Sequence, residues 1–239
     1  MKTLLAISPH LDDAAFSAGA TLWQASQQGW RVIVATMFTG NVRRPTGFAL
    51  ACQLDKGLSP DIDYMALRRD EDLQACALLA AEPMHLPLLE APHRGYDDAA
   101  ALFGEVRTTD EARGAVLAAV TSLVATIRPT CLLAPMGLGR HVDHLIVRNA
   151  VMAASPEAAI FLWEDWPYAD RHEAPTRAKA SFIEADPSAR SVKALACAAY
   201  ATQLGFQFGG ADRLHARLAS QTGEWLHPFA RNDKPSAFD

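Results

Sequence analysis

A doubly wound α/β fold, Rossmann-like, with a mostly parallel sheet of about five strands and helices on both faces, is what this 239-residue sequence predicts. Three observations carry that expectation. Short apolar runs alternate with helix-length segments through residue 165, and the runs at 3–7, 30–38 and 131–134 are continuous, as in strands buried on both faces. The opening strand, helix and strand suit a right-handed crossover, which makes the pairing parallel. Polar clusters follow two of the runs, Ser8-Pro9-His10-Leu11-Asp12-Asp13 and His141-Val142-Asp143-His144. Such clusters fall at carboxyl strand ends, where parallel sheets bind ligands.

Taken in order, residues 3–7 read as the first strand and 14–28 as a helix with Ala18, Leu22 and Trp23 on its apolar face and Gly29 as its stop. Residues 30–38 form the second strand. Residues 39–63, with Gly40, Pro45, Gly47, Gly57 and Pro60, read as a long loop, a length more often functional than idle. A helix is expected over 64–81, a short strand over 84–89, an irregular stretch over 90–110 and a helix over 111–127, closed by Arg128-Pro129. Then come a strand at 131–134, a glycine-containing loop at 135–140, a helix at 142–154 and a strand at 158–163. Beyond lie an antiparallel edge strand within 176–184, helices at 188–202 and 211–220, and a tail from Arg231 that reads as disordered. One domain over 1–230 is expected, a core of 1–170 with a smaller α+β extension at 171–230.

Half of the residues are hydrophobic, ample for a buried core, and the net charge of −5 disfavours nucleic acid as a partner. The four cysteines are widely spaced with no Cys-x-x-Cys pair, which fits core thiols better than ligands or disulfides. No signal peptide is read at the N-terminus, and no apolar run reaches the ~20 residues of a transmembrane span. The expectation is a cytoplasmic protein, either a monomer or a homo-oligomer.

Three histidines and three aspartates at strand ends outline a metal site. His10 and Asp13, three apart at a strand-to-helix turn, can reach one point, and His144 can supply a third ligand. Metal lowers the pKa of water to roughly 7, and Asp12, adjacent to Asp13, is the natural base. His141 would face the reacting carbonyl and, when protonated, stabilise the oxyanion or protonate the leaving amine. Asp143 would hold a histidine in its tautomer. The bland counterpart makes Asp12, Asp13 and Asp143 helix caps in a solvated crevice. Two such clusters at equivalent strand ends weigh against it.

These motifs resemble the PIG-L/LmbE-like deacetylases, zinc-dependent enzymes that remove N-acetyl groups from N-acetylglucosaminyl compounds. The likeness extends to Arg68-x-x-Glu71, to Glu164-Asp165-x-Pro167-Tyr168 and to Lys193, Tyr200 and Gln203. It implies His10, Asp13 and His144 as ligands of zinc (iron or another divalent ion being an alternative), Asp12 as general base and His141 as acid or oxyanion stabiliser. It also implies Arg68 and an aspartate at Asp97 or Asp98 as contacts to sugar hydroxyls; Arg94 and Tyr96, loop residues in the same stretch, are read as lining the same pocket. A helix-surface pair of Arg68 with Glu71 is the plainer alternative. The family often has proline at the position of Leu11 and glutamate at that of Ala14, so this chain departs at two positions outside the ligand set. The other histidines, His85, His93, His172, His215 and His227, read as surface or structural. The partner expected is a small-molecule amino-sugar glycoside. Two alternatives are a non-catalytic carbohydrate-binding relative and a nucleotide-binding Rossmann enzyme, the latter lacking a Gly-x-Gly-x-x-Gly turn.

Overall fold

The computed structural model describes residues 1–154, 157–173 and 175–229. Seven strands occur among them: Thr3–Ser8 (β1), Arg31–Thr36 (β2), Glu82–His85 (β3), Cys131–Pro135 (β4), Ala159–Trp163 (β5), Ser181–Glu184 (β6) and Gly223–Phe229 (β7). They form one sheet in the order β3-β2-β1-β4-β5-β7-β6. The first five in that order are parallel, while β7 runs antiparallel to both β5 and β6. The α/β expectation therefore holds, with one strand, β7, beyond those expected.

Period-2 alternation divides the core. Leu4, Ala6, Val32 and Val34 face one layer, and Leu5, Ile7, Ile33 and Ala35 face the other. The first layer contains helices Asp13–Gln27 (α1), Tyr64–Leu78 (α3) and Pro187–Ala198 (α7). The second contains Ala112–Ile127 (α5) and Val142–Ala154 (α6). Each fully buried Leu, Ile or Val in these layers contributes about 1.5–3 kcal/mol through removal from water. Local signals set the helix ends. Asp63 caps α3 by accepting from Ala66 N at 2.9 Å, and Asp186 caps α7 through Ala189 N at 2.9 Å with Pro187 in the first turn. Arg128, before Pro129, closes α5 in the left-handed region (φ 48°).

The departures from expectation have local causes. The stretch 39–63 contains a helix, Gly47–Leu54 (α2), which buries only Ala49 and Gln53 and so carries almost no apolar periodicity. The third strand begins at Glu82 rather than residue 84, because an edge strand tolerates Pro83. The stretch 90–110 holds a 3-10 turn, Ala91–His93, and a four-residue helix, Ala99–Leu102 (α4). The helix expected to reach residue 202 stops at Ala198 and is followed by Ala201–Phe208 (α8) and Ala211–Ala219 (α9). The interior strand β7 is hidden in sequence by Gly223 and Pro228, residues that argue against a central strand. The segment after residue 170 thus contributes β6 and β7 to the same sheet, and β6 is the antiparallel edge. The tail expected from Arg231 lies outside the described residues.

Candidate active site

The sheet order brings three strand exits side by side. Ser8–Asp13 follows β1, the 135–140 loop follows β4, and Asp165 follows β5, while the segment after β3 brings in Glu90 and Ala91. The strand-to-helix turn after β1 is tight. Ser8 Oγ donates to His10 O at 2.8 Å and accepts from Ala14 N at 3.2 Å, and Asp12 sits at φ 156°, ψ −35°, which non-glycine residues rarely adopt. After β4, Gly137 (φ 84°) and Gly139 (φ 82°) turn the chain so that α6 can present His141 and His144 inward.

Asp13 Oδ2 stands 3.2 Å from His10 Nδ1 and 3.2 Å from His144 Nε2. The far nitrogen of each ring is held by another carboxylate. His10 Nε2 lies 3.0 Å from Asp143 Oδ2, and His144 Nδ1 lies 2.7 Å from Asp165 Oδ1. Asp165 is itself fixed by Gly137 N and Leu138 N at 2.7 and 2.9 Å, and Asp143 by Ala91 N at 3.0 Å and Arg94 at 2.7 Å. Carboxylates behind imidazoles that face a common point are what metal-ligating histidines require. His144 Nε2 is buried without a hydrogen-bond partner among the described residues, an orphan that a cation would satisfy. The donors of His10, Asp13 and His144 lie within 4.8 Å of one another, and three ligands leave a position open. This set fits a divalent ion. A second grouping of His10, His141 and Asp143 is equally close. It fits less well, because both Asp143 oxygens are already engaged by His10, Ala91 and Arg94.

Charges sort the roles. Burial alone would raise Asp13, but the charges of His144 and His10 beside it hold its carboxyl well below the usual range. Burial works against charge on His10, yet Asp13 and Asp143 outweigh it and raise the imidazole to about 9. Asp12 goes the other way: burial, helped by the charges of Asp13 and Glu90, pushes it up to about 7 against the pull of Arg68 and His10. A carboxylate poised there suits a base working near neutrality. Burial and the neighbouring charge of His10 keep His141 neutral. Its Nδ1 accepts from Asp143 N at 3.2 Å, which leaves the ring proton on Nε2. In its neutral form His141 is therefore a hydrogen-bond donor through Nε2.

The structure brings together His10, Asp12, Asp13, His141, Asp143 and His144, all buried. Neither Asp12 nor Asp143 acts as a side-chain helix cap, and Asp143, expected among the catalytic residues, supports His10 from behind. Arg68 is buried and enters the site through Asp12, 3.6 Å away, while bonding Leu11 O at 3.1 Å and Glu90 at 2.5 Å. The surface pair with Glu71 does not form, because Glu71 binds Thr202. Arg94 is spent on Asp110, Asp143 and Leu89 O, which makes it a support of Asp143 rather than a free substrate contact. Tyr96 is buried behind it, bonded to Asp110. Asp97 is exposed, and Asp98 caps α4 through Ala101 N. The carboxylate that partners Arg68 is Glu90. Sequence reasoning missed Glu90 and gave Asp165 no role, although Asp165 follows a strand end as the two motifs do.

Comparison with known proteins identifies the family. Residues 5–155, more than half of the chain, match the model of the PIG-L family, GlcNAc-PI de-N-acetylase. The 2'-N-acetylparomamine deacetylase of Streptomyces fradiae is 35% identical over 176 residues, 72% of this chain. This chain spans 60% of the length of that curated relative. The zinc-inhibited form of teicoplanin deacetylase superposes with a TM-score of 0.81 at 31% identity, over 98% of this chain and 100% of that one. The A40926 pseudoaglycone deacetylase gives 0.79 at 33% identity, over 95% of this chain and 97% of that one. With the family motifs at adjoining strand ends and more than half its length matched, the chain belongs to the PIG-L family.

Proposed function

We propose that this protein is a metal-dependent N-deacetylase that hydrolyses the acetamido group of an N-acetylglucosamine-type amino sugar within a small glycoside. The observation that carries this reading is the convergence of His10, Asp13 and His144, each imidazole backed by a carboxylate, beside Asp12 with its pKa near 7. Deacetylase relatives named for N-acetylparomamine and teicoplanin support the amino-sugar glycoside as substrate class. His10, Asp13 and His144 would hold the ion, zinc or another divalent metal. Once bound, the ion supplies Lewis acidity and lowers the pKa of water to roughly 7.

The chain's own groups do the rest. Asp12, ionised above pH 7, takes the proton of the attacking water and passes it to the departing amine. His141 donates its Nε2 proton to the carbonyl oxygen as negative charge develops there. Arg68 lies beside Asp12 and favours its charged form, and with Glu90 it offers a donor and an acceptor to sugar hydroxyls.

Elemental analysis of the wild type beside His144→Ala, with acetate release measured in the same samples, tests the reading. About one divalent ion per chain is expected in the wild type, lost with activity in the variant. A metal-free wild type that added zinc fails to activate would contradict it. Metal-loaded protein inert toward N-acetyl sugars would favour a carbohydrate-binding role.

A further inference from the structure

Two aromatic side chains that the mechanism leaves unused stand at the site. Phe103 is 39% exposed, an unusual place for a large apolar side chain, yet its ring lies 5.4 Å from that of His141, edge to face. Tyr168 lies 5.5 Å from the ring of His144, also edge to face, and 5.8 Å from Phe103. Both are held in place. Phe103 follows Leu102, which is buried with Ala91, Tyr96 and Val142, the residue next to His141. Tyr168 packs against Gly139, where a Cβ would come within 2.9 Å of its ring, so only glycine lets it sit so low.

The groups around the site therefore fall into two chemically different sets. Arg68 and Glu90 reach it through Asp12 and are polar. Phe103 and the ring of Tyr168 reach it through His141 and His144 and offer aromatic surface. An amide of an amino sugar is divided the same way, a hydroxylated amine on one side of the carbonyl and an alkyl group on the other. We propose that Phe103 and Tyr168 form the wall that receives the acyl group, and that Phe103 limits the chain length removed. This rests on the deacylase reading above and specifies its selectivity. The reaction is unchanged in kind: the amide C–N bond breaks, water supplies hydroxyl to the acyl carbon, and the amine takes the proton.

The test uses one glucosamine glycoside carrying acetyl, propionyl, butyryl or hexanoyl on nitrogen, with wild type, Phe103→Ala and Phe103→Leu, each assayed for fold and metal content. Phe103→Ala should raise kcat/KM for butyryl relative to acetyl by about tenfold or more, the effect of one to two methylenes in an apolar pocket. Phe103→Leu should fall between. Binding of the free products, acetate and butyrate, followed by NMR, should shift in the same direction. An unchanged acyl ratio in both folded, metal-loaded variants overturns the assignment. So does a change confined to discrimination between glycosides, which would put the aromatic wall on the sugar side. If the wild type releases no acid from any substrate, the deacylase reading fails. Carboxylate binding then decides the wall separately, a gain for butyrate in Phe103→Ala supporting it and no gain overturning it.

Discussion

His10 and His144 share one design, an imidazole turned toward Asp13 and anchored behind by Asp143 or Asp165. Asp165 makes three bonds at once, to His144 and to two backbone amides of the 135–140 loop. Asp165→Asn keeps the size and an acceptor oxygen but removes the charge. It is expected to weaken zinc binding by roughly 10–100-fold, the usual effect of losing such a support, in a competition titration against a chromogenic chelator. The raised pKa of His10 adds a pH signature. In chelator-treated protein its charged form is stabilised by folding, so this contribution is full below the ordinary value of 6.5 and is lost as pH rises through about 9. An ion needs the neutral ring, so zinc affinity should rise over the same interval with proton release. Melting temperature against pH, with and without zinc, checks both signs. A metal-free protein that gains stability from pH 6.5 to 9 would contradict the assignment.

At the scale of elements, the C-terminal strand β7 binds the sheet to the helices above it. Glu224, on β7 and buried, accepts from Ala20 N at 3.0 Å and Thr21 N at 2.8 Å of α1, and pairs with Lys193 of α7 at 2.8 Å. Removing one partner of a buried pair strands the other charge. Glu224→Ala should therefore cost about 3–5 kcal/mol in urea unfolding, with residual folded protein still able to bind metal. A loss under about 1 kcal/mol would mean that Lys193 finds water or another acceptor. Nearby, Phe16 of α1 meets Trp166, Tyr200 and Phe208 at ring separations of 6.1, 5.5 and 5.2 Å, tying the exit of β5 to α8 through the same layer.

At the scale of the molecule, a parallel sheet placed β1, β4 and β5 side by side, and their exits made the site. That much was legible, because continuous apolar strands and His/Asp clusters are local signals. What long-range pairing decides was not. No local pattern marks β7 as an interior strand, reassigns Arg68 from Glu71 to Glu90, or turns Arg94 toward Asp143. Phe103 is likewise an ordinary loop residue until the fold sets it against His141. Among the described residues, no helix is long and apolar enough to cross a membrane. The central claim is that one buried carboxylate, Asp12, does the proton transfer at a site whose ligands are other residues. The direct test is acetate release from an N-acetylglucosaminyl glycoside by Asp12→Asn, with metal content measured on the same protein. The expected result is a folded, fully metal-loaded variant slowed by a factor of about 10²–10⁴, the range of general-base catalysis. Near-normal turnover in that variant would contradict the account.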